Sequence, residues 1–213
     1  IISQDKTKFQ KGITAVSAGN HAIAASFVAN LFQLDNKIFL YESANPYRIS
    51  KCKSYNANIQ FTNPKQAFVD ASNAKNNGYY FIHPFDGPHT LQGSATIGLE
   101  IIEYFKTIVT KLDYLIISVG GGGLISGVSS YIKQLSPNTK VIGVEPEGAK
   151  GMSDSIKLGK PLKNVLVNTI ADSLSAPLHL EYSYNVARSV IDEMVTVTDD
   201  EMKEFMIYAF DNL

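Results

Sequence analysis

Short apolar, β-branched runs recur along the chain, separated by longer stretches with helical spacing. Runs at 12–17, 37–41, 58–61, 79–82, 114–119, 140–145 and 194–198 predict strands. They are near-continuous rather than alternating, the pattern of strands covered on both faces. Between them, 20–33, 64–77, 93–111, 124–135, 179–191 and 199–211 carry apolar residues at helical intervals. Pro64 opens the second of these helices and Gly78 follows it, the expected start and stop residues. The last begins at Thr198 with Glu201 three residues on, a reciprocal cap, and its acids lie at the positive helix end. Strand–helix alternation predicts an α/β fold with a largely parallel, twisted sheet flanked by helices. Segment 148–167, rich in Gly, Lys and Ser and weak in period, reads as a crossing segment with one short helix.

Composition narrows the function. The chain has 213 residues, 45% of them hydrophobic, enough for one large domain or two small ones with a real core. Lys+Arg is 19 and Asp+Glu is 20, a near balance that argues against nucleic acid and against an anionic membrane as partners. Cys52 is the sole cysteine, so no internal disulfide forms, and a reducing, cytoplasmic setting fits. No apolar run reaches bilayer length, and the mixed, charged residues 1–11 do not resemble a signal peptide. The chain opens without Met, so its first residue is not expected to be the start of the gene product.

Two loops carry the chemistry. In Ser118-Val119-Gly120-Gly121-Gly122-Gly123-Leu124 an apolar strand runs into four glycines that open a helix. Four glycines cost backbone entropy, which points to close approach of a ligand or to positive φ. Amides at a helix start form a phosphate site. Ile125 stands where a dinucleotide fingerprint needs its third glycine, and no Gly-Lys-Ser/Thr follows, so a lone phosphate fits better than a pyrophosphate or a nucleoside triphosphate. The competing reading is a tight structural turn. The second loop, Ser17-Ala18-Gly19-Asn20-His21-Ala22, also joins a strand to a helix and offers amides and side-chain donors to another anion. Its competing reading is an ordinary cap by Ser17 or Asn20 with His21 packed in the core. Together the loops suit an amino acid joined to a phosphorylated cofactor, with its carboxylate on one and the phosphate on the other.

These motifs resemble the threonine/serine dehydratases of the fold-type II pyridoxal phosphate enzymes, in the tryptophan synthase β-like superfamily, with serine racemase and cysteine synthase as relatives. The resemblance rests on residues 17–22, on 84–100 with Ala95-Thr96-Ile97-Gly98-Leu99-Glu100, on 119–124, on Gly143-Val144-Glu145-Pro146 and on Thr169-Ile170-Ala171-Asp172. It implies two lobes with the cofactor cleft between them, with 1–40 and 91–213 in a large lobe and 41–90 in a smaller one. It implies that Gly120, Gly121, Gly122, Gly123 and Leu124 bind the phosphate of pyridoxal 5'-phosphate and that Asn20 bonds the phenolic oxygen of its ring. Ser17, Ala18, Gly19, Asn20 and His21 would hold the substrate carboxylate. The implied reaction turns threonine or serine into a 2-oxo acid and ammonia, in a homo-oligomer.

The departures are specific. The family's Schiff-base lysine lies in an earlier motif, and Lys6, Lys8 and Lys11 stand too close to Ser17 and lack that motif's flanking residues, so no catalytic residue is assigned. The chain is expected to be an internal piece, truncated at both ends and unable to turn over alone. Ala18, where racemases carry a serine, has no proton to give, which favours dehydration over racemisation. Ser94-Ala95 replaces a common Gln-Gly, and Ser173 follows Asp172 where many members have Gly, which leaves the substrate open. Glu145 and the Ala149 carbonyl match part of a cation site, but Gly151 replaces its second carboxylate and too few oxygens remain for a hard cation. His83 and His89 read as structural, and His179 as a surface or cap residue. Cys52 has cationic neighbours that could lower its pKa, but with no partner base in view it reads as an incidental thiol. The alternatives are a racemase or β-replacement enzyme, and a non-catalytic remnant that binds a phosphorylated ligand. A nucleotide-binding oxidoreductase lacks its spaced glycines and ribose-binding acid.

Overall fold

The structure, a computed structural model, describes residues 4–17 and 19–213. The chain divides into two compact units, Ile1–Pro84 and Phe85–Leu213.

The first unit runs β1 (Ile13–Ser17), α1 (Asn20–Leu31), β2 (Asn36–Tyr41), α2 (Pro46–Ser54), β3 (Ile59–Thr62), α3 (Pro64–Asn76) and β4 (Tyr80–Ile82). Its sheet has the order β3-β2-β1-β4 and is parallel throughout, with Ile13 in register with Asn36 and Tyr80. β1 is central, and Ile13, Thr14, Ala15 and Val16 are fully buried, as the near-continuous apolar run requires. Ala22, Ala25 and Ala29 of α1 pack with Ile13, Ala15, Ile38 and Leu40, while Val16 packs with Ala67 and Ala71 of α3. Alanines on both helices let their backbones lie close to the sheet. β2 lies on one side of β1 and β4 on the other, so the chain reverses direction across the sheet there. Open α/β sheets take ligands at the strand C-termini of such a switch point, and Ser17 ends β1.

The second unit runs α4 (Pro88–Thr107), β5 (Tyr114–Ser118), α5 (Gly123–Leu135), β6 (Lys140–Pro146), α6 (Gly151–Leu158), α7 (Glu181–Val190), β7 (Glu193–Val197) and α8 (Asp199–Asn212). Its sheet, β5-β6-β7, is also parallel. The core joins Leu115, Ile117 and Val141 to Ile102 of α4, Ile125, Val128 and Ile132 of α5, and Tyr184 and Ala187 of α7. Here the expectation of strands covered on both faces fails. Leu115 and Ile117 are buried, but Tyr114 and Ile116 are 58% and 67% exposed, because the helical core packs on one face of β5.

Other departures have local causes. α2 was not expected: of its nine residues Cys52 alone is buried, so no apolar stripe announces it. Its start is set instead by Asn45, whose side chain accepts from Tyr47 N at 2.8 Å, and by Pro46 in the first turn. α4 begins five residues earlier than the spacing suggests, at Pro88 behind the positive-φ Gly87. The division also differs from 1–40, 41–90 and 91–213, because β1 and β2 share one sheet with β3 and β4. The cap of α8 is as expected: Thr198 N donates to Glu201 Oε2 at 2.7 Å and Glu201 N to Thr198 Oγ1 at 3.2 Å. No helix among the described residues is long and apolar enough to cross a membrane.

Candidate functional site

The glycine turn leaves β5 and enters α5. Gly122, at φ 91° and ψ −9°, is left-handed and caps the helix with no side-chain bond, a conformation suited to glycine. The other glycines are crowded from behind. A Cβ on Gly120 would lie 3.1 Å from Leu174 Cα, one on Gly121 would lie 2.5 Å from Phe85 Cδ1 and Cδ2, and one on Gly123 would lie 2.7 Å from Phe85 Cα. Positive φ, one of the two reasons the sequence offered, accounts for Gly122, and close packing by this chain's own residues crowds the other three.

The capacity to bind an anion rests on the amides. Val119 N donates to Val144 O at 2.8 Å, and the next amide with an acceptor is Ser126 N, which donates to Gly122 O at 3.0 Å. Among the described residues, the amides of Gly120, Gly121, Gly122, Gly123, Leu124 and Ile125 have no acceptor. They stand at the positive end of a 13-residue helix. Successive unsatisfied N–H groups plus a helix dipole favour an anion.

The first unit presents the other loop. Ser17 Oγ accepts from Gly19 N at 2.8 Å, and Gly19 holds the cap position of α1. A Cβ at Gly19 would lie 2.7 Å from Arg48 Nε, so the Arg48 side chain lies over this glycine. Arg48 sits on the helix that the sequence did not reveal. Asn20 is exposed at the first helical position, and the amides of Asn20, His21 and Ala22 find no acceptor among the described residues. The His21 imidazole is turned inward, with Nε2 2.9 Å from Ile82 O, and burial holds its pKa below the usual histidine value. His21 therefore packs as a neutral ring against β4, which leaves its backbone amide as its contribution to the loop. Ala18 lies outside the described residues.

A family model described as pyridoxal-phosphate dependent enzyme matches residues 1–211. The chain belongs to that family. It is 38% identical to a phenylserine dehydratase of Ralstonia pickettii over its whole length, covering 65% of that protein. It is 31% identical to an L-threonine ammonia-lyase of Geobacter sulfurreducens, with 94% of this chain and 50% of that one aligned. Among solved structures, a T.th. threonine deaminase superposes with TM-score 0.86 at 29% identity, covering 95% of this chain and 66% of that one. Maize serine racemase superposes at 0.88 and 27%, covering 99% and 63%. The chain thus spans half to two thirds of the length of these family members.

The family's cofactor carries a phosphate, and the six open amides at the start of α5 fit that group. The lysines before β1 do not stand out as its anchor. Lys8 Nζ donates to Gln4 Oε1 at 3.0 Å, and Lys11 Nζ lies 5.8 Å from the centre of the Tyr79 ring.

Glu145, the candidate cation ligand, is fully buried and otherwise engaged. Its Oε1 accepts from Met152 N at 2.7 Å, and its Oε2 accepts from Ser153 N at 2.9 Å and from Ser153 Oγ at 2.6 Å. It thereby caps α6 from β6. Burial raises its pKa, against the pull of these bonds. Ala149 ends the short 3-10 turn before α6. Among the described residues, no group of three or more His, Cys, Asp or Glu side chains is placed to hold a metal ion.

Cys52 is buried, and burial raises its thiol pKa, as suits an incidental thiol. One sequence reading is corrected here. His179 is also buried, not on the surface. Its backbone N donates to Leu162 O at 2.7 Å, and its ring presses on Gly151, where a Cβ would lie 2.5 Å from Nε2. His179 Nδ1 has no partner among the described residues, and burial lowers the pKa from 6.5 to about 4. The unfolded chain therefore binds the proton more readily between these values. This contribution to stability is complete above pH 6.5 and is lost as pH falls towards 4, by at most about 3 kcal/mol. Glu145 acts in the opposite sense: its contribution is complete below 4.5 and is lost as pH rises through its raised value. The difference between wild type and His179→Leu in urea unfolding isolates the histidine. Wild type should lose stability faster on acidification; parallel profiles would contradict the assignment.

Proposed function

We propose that this chain is the part of a pyridoxal phosphate-dependent dehydratase, an ammonia-lyase for β-hydroxy amino acids such as threonine or serine, that binds the cofactor phosphate and the substrate carboxylate. The six open amides at the start of α5, in a chain of this family, are the observation that carries the reading. Gly120, Gly121, Gly122, Gly123 and Leu124 would hold the phosphate, and the cofactor when bound would supply an electron sink for the bond broken at the substrate's α-carbon. The amides of Gly19, Asn20 and His21, with Ser17, would hold the carboxylate, and the Asn20 side chain would reach the cofactor's phenolic oxygen. Dehydratase relatives at 38% and 31% identity favour conversion to a 2-oxo acid with net loss of ammonia over racemisation. The absence of a side-chain proton at Ala18 points the same way. A homo-oligomer working in the cytoplasm belongs to the same reading.

The test uses the protein expressed from its own gene, loaded with pyridoxal phosphate and given L-threonine, L-serine or L-phenylserine. Release of a 2-oxo acid with equimolar ammonia is expected from at least one of them. D-serine without a 2-oxo acid would move the assignment to racemisation, and absence of both products would overturn the reading.

A further inference from the structure

The segment between β4 and α4 has no part in the reading so far, yet it touches the glycine turn on two sides. The Phe85 ring fills the space behind Gly121, and its backbone fills the space behind Gly123. The next residue, Asp86, reaches across the unit: its Oδ1 accepts from Ser183 N in the first turn of α7 at 2.8 Å. A carboxylate at that position satisfies an open amide and suits the positive end of the helix. Ser183 is itself buried and bound to the site helix, since Ser126 Oγ of α5 donates to Ser183 O at 2.9 Å. Ser183 also backs Gly122, where a Cβ would lie 3.9 Å from Ser183 Cβ. A further hydroxyl, Ser94 Oγ of α4, lies 2.9 Å from Gly123 O. Two carbonyls of the turn are thus engaged, Gly123 O by the Ser94 hydroxyl and Gly122 O by Ser126 N, while its amide side stays open.

We propose that Asp86 is a positioning residue for the phosphate site. By fixing the start of α7 against α5, and by setting the Phe85 ring on Gly121, it holds the turn in the conformation that keeps its amides together. The proposal rests on the reading of the glycine turn as the cofactor phosphate site. In this role the Asp86 carboxylate acts through Ser183 and through its neighbour Phe85.

Pyridoxal phosphate affinity, measured by absorbance titration of the protein expressed from its own gene, tests this with four variants. Asp86→Ala should weaken binding about tenfold, a loss of one well-placed hydrogen bond's worth of alignment. Asp86→Asn keeps an acceptor for Ser183 N and should restore binding to within about threefold of wild type. Thr198→Ala breaks the remote cap of α8 and should lower stability by about 1 kcal/mol without changing the affinity, which separates positioning from general loosening. Gly121→Leu should abolish binding. Loss in Gly121→Leu with wild-type affinity in Asp86→Ala would overturn the positioning role and leave the proposed function standing. An equal loss in Asp86→Ala and Thr198→Ala would also overturn it. Wild-type affinity in Gly121→Leu, or no binding by wild type, would overturn the phosphate site and the positioning role together.

Discussion

Gly121→Leu is expected to lower pyridoxal phosphate affinity at least about a hundredfold, roughly 3 kcal/mol. Its Cβ would fall 2.5 Å from two ring carbons of Phe85, nearer than any real Cβ contact allows. The backbone of Phe85 is held at Gly123 and its neighbour Asp86 is bonded to α7, so the ring has little freedom to withdraw. The turn must move instead, and with it the amides of residues 120–125. Forcing a side chain into a packed space costs about 1–3 kcal/mol in stability besides. Gly159→Ala is the control: Gly159 is a glycine at positive φ, 74°, where nothing lies within 4 Å of its Cβ direction. It should cost about 1 kcal/mol of backbone strain and leave the affinity unchanged. Equal affinity for Gly121→Leu and Gly159→Ala would contradict the account of the turn.

Glu145→Ala is expected to destabilise the chain by about 3 kcal/mol or more, since each buried donor left without an acceptor costs about 1–3 kcal/mol. Two amides and a hydroxyl at the start of α6 would lose their acceptor in a site where Glu145 itself has no solvent exposure. Water would have to enter, or α6 would have to unwind. Glu145→Gln should cost less, because its one carbonyl oxygen still accepts while its amide nitrogen faces a donor. Urea unfolding at pH 7 reads both. A loss below about 1 kcal/mol for Glu145→Ala, within the range of an ordinary surface change, would show that the carboxylate is not holding α6.

Much of this was legible in the residues, and what was not has physical reasons. Central strand β1 announced itself because every position from Ile13 to Val16 is enclosed, so no polar residue facing water breaks the apolar run. The start of α8 was readable because Thr198 and Glu201 cap each other locally. Helix α2 was hidden because it buries one side chain, and Arg48 was hidden with it. The glycine turn was found from four letters, and positive φ, foreseen as one reason for them, holds at Gly122, but the packing behind Gly121 was not foreseen. Phe85 is 36 residues from Gly121 in sequence, and nothing in local spacing signals that its ring fills the space behind that residue. His179 was misplaced for a similar reason. Two irregular segments bond to each other, with Val165 N donating to Pro177 O at 2.8 Å and His179 N to Leu162 O at 2.7 Å, and together they draw the ring beneath Gly151. Pairings between irregular segments leave no period to read. The alternation of β5 was visible in Tyr114-Leu115-Ile116-Ile117 only as a continuous apolar run, because its exposed positions are themselves apolar.

Nitrogen–proton correlation spectra of the labelled chain, recorded as pyridoxal phosphate is added, bear most directly on whether open amides at the start of α5 take the phosphate. The largest saturable shifts are expected at the backbone amides of Gly120 through Ile125, with Ser126, already bonded to Gly122 O, moving less. Saturable shifts elsewhere, with Gly120 through Ile125 unmoved, would contradict the account.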